Sequence, residues 1–100
     1  MTHLFTVAEC FHITGRGCVL VPGLSTEPGA PAIGRNSRIR LRTPSGVEID
    51  SFIKEIEMIT YRKRPEKITV PVLLPNDISK EQVPAGTEVF LLDEKFETIG

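Results

Sequence analysis

Arginines and aliphatic residues alternate without a break in Arg38-Ile39-Arg40-Leu41-Arg42, and Glu48-Ile49-Asp50 follows after the turn residues Pro44-Ser45-Gly46. Period-two alternation marks a strand with one buried face. With Pro44-Ser45-Gly46 as a three-residue loop and Gly46 in the left-handed conformation, Leu41 faces Ile49, Arg40 faces Asp50 and Arg42 faces Glu48. A slip of one residue would set arginines against Val47 and Ile49, so the pattern selects its own register.

The rest of the chain is a series of short β-branched runs punctuated by glycine and proline, the pattern of a small sandwich or barrel. Strands are predicted near 3–14, 17–22, 37–43, 47–60, 67–74 and 86–92. Within 47–60, Ile49, Phe52, Ile53, Ile56 and Ile59 fall at roughly helical spacing, but isoleucine content and the adjoining hairpin favour a strand. Another hairpin is predicted in Phe11-His12-Ile13-Thr14-Gly15-Arg16-Gly17-Cys18-Val19-Leu20. With Gly15-Arg16 as its tip, Cys18 lies opposite Ile13 and Cys10 opposite Val21, which puts the two sulfurs on opposite faces. Alternation then points Phe11, Ile13, Leu20, Leu41, Ile49 and Leu73 inward. Residues 22–36, rich in proline and glycine, form a loop that is long for a compact domain. Ser79-Lys80-Glu81-Gln82 has the form of a capping box for one helical turn, stopped by Pro84 before a closing strand that starts at Thr87.

One hundred residues make a single domain, 1–100, with surface burial on folding of roughly 60% or more. A net charge of -1 gives no global field toward nucleic acid, so any RNA contact must be local. No apolar run is long enough to span a bilayer and no basic flank precedes one, so a soluble, cytoplasmic protein without membrane contact is expected. Cys10 and Cys18 are too few for a disulfide framework and too far apart for a Cys-x-x-Cys motif, so both are read as free thiols.

The candidate chemistry is basic. Gly15-Arg16-Gly17 holds an arginine at a hairpin tip, and alternation puts Arg38, Arg40 and Arg42 on one strand face, with Arg35 nearby. Asp50 and Glu48 are positioned to neutralise two of these. Tyr61-Arg62-Lys63-Arg64 opens a basic turn with one aromatic, suited to stacking and phosphate contact or simply to solvation. Cys10 and His12 share a strand face, but two ligands do not make a zinc site, and no metal is expected. Neither a nucleophile elbow nor a recognisable carboxylate pair is present, and no catalytic residue is assigned.

Three patches, Phe11 to Val19, Ile53-Lys54-Glu55-Ile56-Glu57-Met58, and Val70 to Leu91, occur in the order and at separations compatible with domain II of elongation factor Tu-like translational GTPases, which the chain resembles over about four-fifths of its length. The resemblance implies an all-β, six-stranded closed barrel and a translation-related partner, RNA or the ribosome, with Gly15, Arg16 and Gly17 toward the small subunit. It lays the aminoacyl pocket of the family on Ala8-Glu9, Phe11, Val21, Thr60 and Thr69, where only Glu9 and Phe11 keep the chemistry. None of the five lysines follows a glycine, so the phosphate-cradling loop is absent and neither GTP nor another cofactor is expected. The reading is therefore a stand-alone, non-catalytic binding module for RNA or the ribosome, or alternatively a protein-interaction module of regulatory or immunity type.

Overall fold

A computed structural model describes residues 2–26, 29, 33–57 and 69–92. They form two four-stranded antiparallel sheets. The strands are β1 (Thr2–Thr6), β2 (Glu9–Ile13), β3 (Gly17–Ser25), β4 (Arg38–Arg42), β5 (Glu48–Phe52), β6 (Glu55–Ile56), β7 (Thr69–Leu73) and β8 (Glu88–Leu91). One sheet has the order β1-β8-β4-β5 and the other β2-β3-β7-β6. Among the described residues no helix is long and apolar enough to cross a membrane.

The expected strand 3–14 is divided at Val7-Ala8, whose consecutive amides bond to different sheets: Val7 N donates to Thr87 O at 2.8 Å and Ala8 N to Val21 O at 2.8 Å. The expected strand 47–60 turns the same way at Ile53-Lys54, where Ile53 N donates to Ser37 O and Lys54 N to Leu73 O. Beyond Glu57 that expectation lies outside the described residues, as do residues 67 and 68 of the predicted 67–74 strand. β3 runs past the predicted end at Pro22 to Ser25, because the pairing with β7 shifts between Leu20 and Leu24 and accommodates Pro22-Gly23 as an irregularity.

The β4–β5 hairpin has the register its charge pattern specifies, Arg40↔Asp50, Leu41↔Ile49 and Arg42↔Glu48, with Gly46 at φ 92. The β2–β3 hairpin differs by one residue. Its turn contains Thr14-Gly15-Arg16, closed by Arg16 N donating to Ile13 O at 2.9 Å, so Ile13 pairs with Gly17, His12 with Cys18, Phe11 with Val19 and Cys10 with Leu20. The single-residue slip reverses faces on one strand relative to the other. Phe11 and Ile13 therefore point outward, 47% and 37% exposed, while Cys10, Cys18 and Leu20 enter the core together. Leu73 is buried, but in the outward row Phe11–Val19–Leu73–Glu55 rather than in the core cluster that holds its neighbours Val72 and Leu74.

Between the sheets Leu20, Ile39, Leu41, Ile53 and Val72 are sealed from solvent, with Ile49 packed partly buried against them. The capping box forms as read. Ser79 N donates to Gln82 Oε1 at 2.8 Å and the side chains meet at 3.1 Å, starting a single 3-10 turn at Lys80–Gln82.

Candidate functional site

The β2–β3 turn is held in place by glycine. Gly17, at φ 132, lies so close to β7 that a Cβ there would overlap the carbonyl oxygen of Leu74, whereas nothing approaches Gly15, at φ 82. Only glycine accepts both the backbone angle and the approach at Gly17. The turn thus projects Arg16 from a fixed base.

Arg16 is not a solitary charge. Its Nη2 lies 2.7 Å from Glu57 Oε2, and Lys54 Nζ donates to the Arg16 carbonyl at 3.0 Å. Glu57 N bonds Pro71 O, so this ion pair bridges from the turn to the chain on the far side of β7. Arg35 joins from the segment before β4, donating from Nε to Lys54 O at 3.4 Å and standing 3.8 Å from Glu55. Three cations from distant parts of the chain, Arg16, Arg35 and Lys54, therefore gather with two carboxylates, Glu55 and Glu57. Flanking glycines mark Arg16 in the sequence, whereas nothing there marks Lys54 or Glu57 as site residues. The only signal for these was their place in the Ile53 to Met58 patch, which carries no information about what lies across the fold. Tyr61, Arg62, Lys63 and Arg64 lie outside the described residues.

The other basic group is engaged by acids. Arg40 makes two bonds to Asp50, at 2.6 and 3.0 Å, and approaches Glu48 at 3.9 Å; Arg42 bonds Glu48 at 3.0 Å and lies 4.8 Å from the centre of the Phe90 ring. His3 meets the same ring edge-on. Arg38 stands across from Phe52 at the end of this row. The hydrogen bond from Arg40 holds the Asp50 carboxyl below its ordinary value, and the same bond raises Arg40. A depressed carboxyl stabilises the fold above its unfolded pKa, and the contribution is lost as pH falls through the folded value. Titration followed by carboxyl-carbon NMR is expected to place Asp50 below 3.8, and Arg40→Ala to return it toward that value. Because the pair is exposed, Asp50→Asn is expected to change neutral-pH stability little.

Glu9 and Phe11 line a cleft of about 230 Å³ with Ala8, Cys10, Lys80, Val83, Pro84 and Ala85. Val21 and Thr69 do not line it, and Thr60 lies outside the described residues. Cys10 and Cys18, expected on opposite faces, share the core face because of the corrected register. Burial, and then Cys18, push the Cys10 thiol up to about 12, and Cys18 Sγ donates to Ile78 O at 3.2 Å. Both thiols are free. Among the described residues no group of three or more His, Cys, Asp or Glu side chains is placed to hold a metal ion.

No family model, curated protein or solved structure matches the chain. The functional reading therefore rests on the cluster itself.

Proposed function

We propose that the chain is a non-catalytic binding module, with its two sheets closed into a six-stranded barrel of the domain II type, that contacts RNA or the ribosome through the Arg16–Lys54–Arg35 cluster. The corners support closure. At Val7-Ala8 and at Ile53-Lys54 consecutive amides bond to different sheets, as a strand shared by two sheets must. The observation that carries the function is that Lys54 reaches the projecting turn of Arg16 while Arg35 packs on the Lys54 backbone, a chain of three cations against two carboxylates. On the opposite sheet Arg40 and Arg42 pair with Asp50 and Glu48, and Glu88 stands across from Arg42, so that the three arginines of that face, Arg38 included, meet three carboxylates and it is less able to attract phosphate.

A second reading is favoured by Phe11 and Ile13, two large apolar side chains on neighbouring outward positions of β2 that stand beside the same turn. An apolar pair of this kind suits a protein partner. Capture of partners by the tagged chain from a native lysate, with and without ribonuclease, separates the readings: loss on treatment supports RNA, and retention supports protein. For RNA, Arg16→Ala should also shallow the salt dependence of binding by about one phosphate contact.

A further inference from the structure

We infer that Glu57 is an internal competitor for RNA phosphate, holding the Arg16 guanidinium until a phosphate takes the place of its carboxylate. The inference rests on the RNA reading above and adds the residue that sets how available Arg16 is.

Three features of the turn support an exchange of partner rather than a permanent brace. First, the backbone is fixed without the ion pair: Arg16 N donates to Ile13 O, Lys54 Nζ donates to Arg16 O, and Gly17 is locked against Leu74. Releasing Glu57 therefore frees a side chain and leaves the turn in place. Second, the Arg16 side chain is 47% exposed and that of Glu57 25%, so neither charge would be stranded in a dry interior when they part. Exposed ion pairs contribute little, so the contact can be exchanged at small cost. Third, the contact runs through one guanidinium nitrogen, Nη2, to one carboxylate oxygen, Oε2, at 2.7 Å. It lacks the paired geometry of Arg40 with Asp50, in which Nε and Nη2 both donate. A bidentate phosphate would use the guanidinium fork more fully than Glu57 does.

A carboxylate acting this way lowers affinity for RNA and raises selectivity for phosphates that can reach the tip. A carboxylate acting as a positioning brace does the reverse, because removing it would disorder the arginine that RNA needs. The two roles predict opposite signs for one substitution.

The test is fluorescence anisotropy of a labelled oligouridylate with the wild-type chain, Glu57→Gln, Arg16→Ala, the double variant and Glu55→Gln, with circular dichroism to verify that each is folded. Glu57→Gln should tighten binding about 2–5-fold, the range of an exposed pair. That gain should vanish when Arg16 is alanine, a coupling that the double-mutant cycle isolates from the general effect of removing a negative charge. Glu55→Gln makes the same charge change beside Arg35, and its effect should persist in the Arg16→Ala background. If the wild-type chain binds and Arg16→Ala weakens it, but Glu57→Gln binds equally or less well, Glu57 is a brace and the inference fails while the RNA reading stands. If neither the wild type nor any variant binds, both fail together.

Discussion

Replacing Gly23 with alanine is expected to destabilise the fold by about 2–5 kcal/mol, a large share of the roughly 5–15 kcal/mol of a domain this size. Gly23 sits at φ 98, and a Cβ there would overlap the carbonyl oxygen of Val70 and come within 2.6 Å of the Pro71 Cα. The neighbours are backbone, so no side chain can swing aside. Left-handed strain of about 1–2 kcal/mol adds to the overpacking cost of about 1–3 kcal/mol. Gly15→Ala supplies the control, because Gly15 has a similar φ of 82 with nothing within 4 Å, and it should lose only the strain. Urea denaturation of the two variants measures the difference. A Gly23→Ala chain within about 1 kcal/mol of wild type would return this segment to the loose loop that the proline and glycine content of 22–36 suggests.

That contrast explains what the sequence discloses and what it hides. The β4–β5 hairpin is legible because each of its positions is either charged or apolar, so a wrong register carries a visible penalty. β2 and β3 are apolar on both faces through Cys10, Phe11, Ile13, Cys18, Val19 and Leu20, and a slip of one residue exchanges one apolar set for another. What decides between them is the approach of Gly17 to Leu74, a contact across 57 residues of sequence. The corners at Val7-Ala8 and Ile53-Lys54 contain no glycine or proline, and local pattern has no means of marking them. The same limit applies to the candidate site. Arg16 is visible because glycines flank it, whereas Glu57 is joined to it only by the order of β3, β7 and β6. The neutralisation of the arginine face on β4 is legible in the sequence, since the hairpin register sets Asp50 opposite Arg40 and Glu48 opposite Arg42.

Leu20→Ala should cost about 2–5 kcal/mol, whereas Phe11→Ala should cost about 1 kcal/mol or less, although phenylalanine is the larger side chain. Leu20 is wholly buried and opposite Cys10 in the core, so truncation leaves a void that the surrounding sheets can only partly close. Phe11 is 47% exposed on the outer face, where water fills the space left by the ring. The shared measurement is the denaturant midpoint, with an unchanged slope showing that the unfolded state is the same in both. Equal losses at the two positions would mean that Phe11 points inward and that the hairpin tip is Gly15-Arg16 alone. The result also bears on function, because an outward Phe11 on the hairpin that bears Arg16 is free to meet a partner only if the fold does not depend on it. A Phe11→Ala chain that keeps its stability and still captures fewer ribonuclease-resistant partners would assign this ring to a protein interface.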